Sequence, residues 1–242
     1  MITTIGFDAD DTLWVNETYF KEAEQEFCEL LYDYADAETI SSKLLKIEID
    51  NISCYGYGVK AFTLSLIEAA LRISGGALNG EITSRIIEIG KSLIDRPVEL
   101  LGDVETVLKL LGRNYRLLIA TKGDILDQER KLKKSGLEPY FFHVETLSGK
   151  TEKHYSNMLR SLKIAPQEFI MIGNSLKSDI LPVLELGCEA IYIPFHTTWE
   201  HEKIDESTLD TKHFHRAEKL SDCVEIIENA KAPGTQHNVG GA

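Results

Sequence analysis

Two aspartates two residues apart, Asp8 and Asp10, stand directly after the apolar stretch Ile5-Gly6-Phe7 and are followed by Thr12. Such a pair can divide nucleophilic attack and proton transfer between two carboxylates, and carboxylates also ligate magnesium. Three further groups of this kind follow: Thr121 with Lys122 and Gly123, then Lys150, then Gly173-Asn174-Ser175 with Asp179 six residues beyond Gly173. Threonine and lysine hold anionic oxygens, while asparagine and aspartate offer oxygen ligands to a hard cation. The chain carries a formal net charge of -13. Positive charge for an anionic ligand must therefore be local, from a metal ion or a few placed lysines. The same balance argues against nucleic-acid binding, which needs an excess of Lys and Arg to neutralise phosphates.

The elements that must position these residues are legible from periodicity. Thr3 to Phe7 reads as a short buried strand. Helical spacing begins at Glu17, with Phe20, Ala23, Phe27, Leu30 or Leu31, and Tyr34 at three- and four-residue steps. Further helices are expected over about 40–50, from Phe62 to Ile73 (ended by Gly75-Gly76), and from Ile82 to Leu93, with a loop over 51–60. At Pro97 the pattern changes. Helices over 103–111, 125–135, 152–162 and about 178–186 alternate with strands at 117–120, near 141–145, at 169–172 and at 190–193. Short apolar strands alternating with helices predict a parallel sheet covered on both faces. The expected fold is α/β: a Rossmann-like, doubly wound parallel-sheet core from residues 1–14 and 97–230, an inserted all-helical domain over 15–96, and a flexible Gly-rich tail over 231–242. Every reactive group then falls just past the carboxyl end of a strand, where open parallel sheets bind ligands.

In this order and context the motifs resemble those of the haloacid dehalogenase superfamily, over nearly the whole core. Asp8-Ala9-Asp10-Asp11-Thr12 is similar to its DxDxT signature, Thr121 ends the second-motif strand, a lysine precedes the fourth motif, and Gly173-Asn174-Ser175-Leu176-Lys177-Ser178-Asp179 resembles GDxxxxD. The helical insertion between the first two motifs looks like a C1 cap. The resemblance implies a Mg²⁺-dependent phosphatase acting on a small phosphorylated metabolite. Asp8 is then the nucleophile, forming an aspartyl-phosphate, and Asp10 the general acid and base. Thr121 and Lys150 hold the phosphate. The implied metal ligands are Asp8, the Asp10 carbonyl, Asn174 and Asp179, directly or through water. Asp10 argues against dehalogenation, since the dehalogenases lack the second aspartate.

Three points stay open in the sequence. Lys150 and Lys153 both qualify as the phosphate-binding lysine; Thr151 reads as the N-cap of the following helix, which leaves Lys150 in the loop and makes it the preferred candidate. Asn174 stands where the superfamily usually has Asp and supplies a neutral ligand. The same residues also suit a phosphotransferase or phosphomutase, or a non-catalytic phosphate-binding regulatory protein. Substrate contacts beyond the phosphate are expected from Lys122 and, in the inserted domain, from Tyr57 and Lys60. Asp11 reads as a turn residue and Thr12 as an orienting one. His213 and His215 read as exposed. The four cysteines lie far apart and predict neither disulfides nor a zinc site. No apolar run reaches the roughly 18 residues of a membrane span, and no secretory leader is evident; a cytoplasmic protein is expected, its oligomeric state open.

Overall fold

A computed structural model of the protein describes residues 1–204 and 212–231. The apolar runs become strands β1 (Thr4–Phe7), β2 (Arg116–Lys122), β3 (His143–Leu147), β4 (Phe169–Gly173) and β5 (Glu189–Tyr192), and a short β6 covers Phe214–Arg216. They form one sheet in the order β3-β2-β1-β4-β5-β6, every pair parallel. All of β1 and β4 is buried, as a sheet covered on both faces requires.

Strand alternation sends successive side chains to opposite faces. Ile5, Phe7, Leu117, Ile119, Ile170 and Ile172 pack on one side with α5 (Val104–Leu111) and α9 (Asp222–Lys231). Leu118, Ala120, Phe169 and Met171 pack on the other with α7 (Glu152–Ser161). The remaining helices of this part are α6 (Ile125–Ser135) and the one-turn α8 (Leu181–Leu184). The result is the expected Rossmann-like α/β fold.

Between β1 and β2 run α1 (Glu17–Leu30), α2 (Ala37–Tyr55), α3 (Val59–Ile73) and α4 (Gly80–Asp95). They bury a cluster of their own around Phe27, Leu44, Phe62, Leu66 and Ile86. The chain enters and leaves this helical segment through two extended stretches bonded to each other: Val15 N donates to Glu99 O at 3.0 Å and Leu101 N to Leu13 O at 3.0 Å. Among the described residues no helix is long and apolar enough to cross a membrane.

Several boundaries differ from the sequence reading for physical reasons. Helix α2 continues through 51–55 because Asn51 is anchored across to α3, donating to Ser65 Oγ at 3.2 Å and Glu68 Oε2 at 2.9 Å. Only Gly56 to Gly58 forms the connection, with φ of +72° and +101° at the two glycines. The helix expected over 178–186 is a π-helical turn, Leu176–Ile180, followed by α8 with Pro182 in its first turn. His213 and His215 are half-buried rather than exposed, both against Glu189 at 2.7 and 2.9 Å. Residues 232–242, most of the expected tail, lie outside the described residues.

Candidate active site

Strand β1 lies at the centre of the sheet, with β2 on one side and β4 on the other. The chain runs outward in both directions from it, so the crevice at its carboxyl end is the place where a ligand fits. Asp8 is the first residue past that end; its backbone N–H donates to Ile172 O at 2.8 Å. The residue is 6% exposed. Lys150 Nζ donates to Asp8 Oδ1 and, at 2.6 Å, to Asp179 Oδ1. One buried ammonium thus bridges two buried carboxylates.

The electrostatics follow from that arrangement. Burial and the neighbouring Asp179 charge push Asp8 up to about 7, against the pull of Lys150. Burial alone would lower Lys150, but the charges of Asp179 and Asp8 hold it well above the ordinary lysine range. Lys150 is therefore a fixed cation. Gly173 makes the approach of Asp179 possible: a Cβ there would lie 2.4 Å from the Asp179 carboxyl carbon. The other Asp179 oxygen accepts from Ser175 N at 2.9 Å.

Asp10 lies two residues beyond Asp8 and is held by three donors. Trp14 Nε1 and Lys131 Nζ donate to Oδ1 at 2.7 and 2.6 Å, and Gln128 Nε2 donates to Oδ2 at 2.7 Å. Asp11 takes a positive φ of 61° and turns its carboxylate onto the start of α1, accepting from Asn16 N at 2.8 Å and Glu17 N at 2.9 Å. That buried group is a structural anchor rather than a reactant. Burial, opposed by those two backbone bonds, raises it to about 7.

The oxygens needed for a hard cation converge beside Asp8. One terminal atom of the Asn174 amide lies 3.1 Å from Asp8 Oδ2, 3.2 Å from the Asp10 carbonyl oxygen and 3.3 Å from Thr12 Oγ1. With nitrogen in that place the amide donates to Asp8 and Asp10. With oxygen turned there instead, the Asn174 amide joins Asp8 Oδ2 and the Asp10 carbonyl in a set of oxygens of the kind magnesium takes. Among the described residues no cluster of three His, Cys, Asp or Glu side chains forms a metal site. The set is a mixed one of carboxylate, carbonyl and amide.

Of the remaining sequence candidates, Thr121 is buried at the end of β2 and lines the same cavity. The structure brings Lys150 to Asp8, whereas Lys153 is exposed on α7. Lys122 reaches the cavity wall, but its ammonium is engaged by Ser178 Oγ at 2.8 Å and Glu202 Oε1 at 2.5 Å. Tyr57 lines the cavity, with its ring centre 4.5 Å from Lys122 Nζ and edge-on to Trp199. Lys60 is largely exposed and pairs with Asp124 at 2.9 Å, beside the place where Gly58 packs so closely on Asp124 that a Cβ would lie 2.7 Å from its amide nitrogen. In this arrangement Lys60 does not line the cavity, although its neighbours Tyr57 and Gly58 do. Three contributors escaped the sequence reading: Gln128, Lys131 and Glu202. The first two recur at i, i+3 on α6, a spacing that shares one helix face; nothing local marks Glu202.

The cavity has a volume of about 330 Å³ and extends from Asp8 to the inner faces of α1 and α2. At its far end burial, then the Glu24 charge, opposed by Lys21, raise Glu48 from its ordinary 4.5 to about 8. The folded state therefore holds a proton that the unfolded chain gives up near its ordinary value, and this group's contribution to stability falls as pH rises between the two. Glu48→Gln is expected to raise the melting temperature by about 2–4 °C at a pH of about 8.5, and by little at about 4.5. Equal shifts at both pH values would contradict the burial of this carboxyl.

A family model described as haloacid dehalogenase-like hydrolase matches residues 2–187. The chain is 26% identical over 251 aligned positions to the glyceraldehyde 3-phosphate phosphatase of Methanocaldococcus jannaschii, spanning 96% of this chain and 99% of that protein. It is also 26% identical over 200 positions to the N-acylneuraminate-9-phosphatase of Homo sapiens, over 78% of this chain and 81% of the relative. The crystal structure of a haloacid dehalogenase-like family hydrolase from Xanthomonas campestris superposes with a TM-score of 0.85 at 33% identity, covering 94% of this chain and 91% of that one.

Proposed function

The chain belongs to the haloacid dehalogenase-like hydrolases, and from that premise we propose that it is a magnesium-dependent phosphatase of a small phosphomonoester, working through an aspartyl-phosphate on Asp8. The observation that carries the reading is the position of Asp8: first past the central strand, fixed by Lys150, with Asp10 two residues on. Two of its relatives bear the names of phosphatases of small phosphorylated metabolites.

Asp8 attacks phosphorus and the alcohol leaves with its oxygen protonated. Lys150 holds the phosphoryl oxygens close to the Asp8 carboxylate and offsets the repulsion between two anions. Thr121 offers its hydroxyl to another oxygen. Asp10 supplies the proton to the leaving oxygen and then takes one from the water that cleaves the acyl phosphate. Both Asp10 oxygens are occupied by Trp14, Lys131 and Gln128, so Asp10 turns from that cage when substrate arrives. Asp8, the Asp10 carbonyl, Asn174 and Asp179 would hold magnesium, directly or through water, and the ion when bound would neutralise charge on the phosphoryl group.

Residues 15–96 act as a cap over a core made of 1–14 and 97–230, hinged at the paired stretches around Val15 and Glu99. The cap supplies the leaving-group end of the cavity, with Tyr57 on its wall. Hydrolysis of p-nitrophenyl phosphate and of a metabolite panel including both relatives' substrates tests the reading. Expected is phosphate release that disappears on chelation of magnesium and returns on adding it back. Release that ignores chelation, or no release from any phosphomonoester, would contradict it.

A further inference from the structure

The loop after β5 brings into the site a carboxylate that the steps above do not use. Glu202 is 9% exposed, and both its oxygens are bonded. Oε1 accepts from Lys122 Nζ at 2.5 Å, and Oε2 accepts from Ser175 Oγ and Ser178 Oγ, each at 2.5 Å. Lys122 closes the set by donating to Ser178 Oγ at 2.8 Å. Against the effect of burial, Lys122 and the two serines hold the Glu202 carboxyl down at about 2.

This one side chain, itself in the loop after β5, therefore ties the carboxyl end of β2 to the turn after β4. Lys122 adjoins Thr121 at the end of β2. Ser175 and Ser178 flank the turn after β4 that separates Asn174 from Asp179. From Ser175 the bonding continues without a gap: its N–H donates to Asp179 Oδ2 at 2.9 Å, and Asp179 Oδ1 accepts from Lys150, which holds Asp8. A buried ion pair alone adds little to stability once desolvation is counted. Partners behind a ligand, by contrast, commonly set its affinity by 10–100-fold.

We propose that Glu202 is a positioning residue of this site, clamping the turn 175–179 so that Asn174 and Asp179 keep their places around Asp8. The proposal rests on the phosphatase reading. It also separates two roles for Glu202: holding the serine turn, and balancing the charge of Lys122.

Glu202→Gln and the double variant Lys122→Met with Glu202→Gln separate these roles, since the double variant restores charge balance without restoring the carboxylate to the serines. The readouts are Mg²⁺ affinity by titration calorimetry with the metal alone, and kcat on p-nitrophenyl phosphate. Both variants are expected to bind Mg²⁺ about 10-fold more weakly and to lose about 10-fold in kcat. Recovery of wild-type Mg²⁺ affinity in the double variant would reduce Glu202 to a counter-ion and overturn the proposal, as would an unchanged affinity in Glu202→Gln. Should Glu202→Gln fail to fold, Ser178→Ala removes one bond from the other side of the clamp, and an unchanged Mg²⁺ affinity there overturns the proposal equally. A wild-type protein with neither Mg²⁺ binding nor turnover would remove the phosphatase reading and the clamp with it; an active wild type matched by the variants removes the clamp alone.

Discussion

Asp8→Asn is expected to lower phosphomonoester hydrolysis by about 10⁴-fold or more, the scale of a lost nucleophile, without lowering the melting temperature. The shape of the side chain is kept, so the bond from Lys150 has an oxygen to meet. An amide is no nucleophile toward phosphorus, and the other two carboxylates past β1 are engaged elsewhere, Asp10 by Trp14, Lys131 and Gln128 and Asp11 by the start of α1. Stability is the discriminating half of the prediction. Asp8 is pushed up to about 7 by burial and by Asp179, so above that pH the folded protein carries a charge that it disfavours. Removing the charge relieves the repulsion from Asp179, and at a pH of about 8 the variant should melt at or above the wild-type temperature. Activity measured beside a melting curve checks both halves; an active Asp8→Asn, or an inactive one that has merely unfolded, contradicts the assignment.

The second large effect belongs to Asp10→Asn, and it should depend on the leaving group. General acid–base catalysis is worth about 10²–10⁴-fold, and Asp10 serves both half-reactions. p-Nitrophenolate leaves readily without a proton, so with this substrate the first step survives and the second, activation of water, stalls. Rapid mixing is expected to show a burst of one equivalent of p-nitrophenol per site followed by turnover about 10²–10⁴-fold below wild type. An alkyl phosphate, which needs the proton, should show no burst. A variant with the same modest loss on both substrates and no burst would take Asp10 out of the chemistry and leave it as the partner of Lys131 and Trp14.

Much of the frame was legible because the strands near the site are short and wholly apolar. Ile5 to Phe7 and Phe169 to Ile172 have no polar residue to place at the surface, so they must be central, and the residues just past them must line the crevice. The preference for Lys150 over Lys153 rests instead on Thr151 as an N-cap, and α7 does begin at Glu152, with Lys150 ahead of it. What escaped depends on contacts distant in the chain. Strand β6 is three residues, Phe214 to Arg216, too short for any alternation to declare itself. The length of α2 is set by Asn51 bonding into α3. Lys60 reads as a loop cation, whereas in the fold it pairs with Asp124 64 residues on. Glu202 meets Ser175 and Lys122 across 27 and 80 residues, and no local pattern encodes such a meeting. Asn174 remains the departure from the superfamily pattern, yet its amide stands among the oxygens of Asp8, Asp10 and Thr12, where a neutral ligand can serve.

The covalent step itself can be caught. Protein mixed with p-nitrophenyl phosphate and Mg²⁺, quenched in acid within a turnover and reduced with borohydride, converts an aspartyl-phosphate to homoserine at the modified position. Peptide mass mapping should then find homoserine at residue 8, most abundantly in the Asp10→Asn variant, where the second step stalls. Reduction at another carboxylate, or none at residue 8 while phosphate is being released, would contradict Asp8 as the nucleophile.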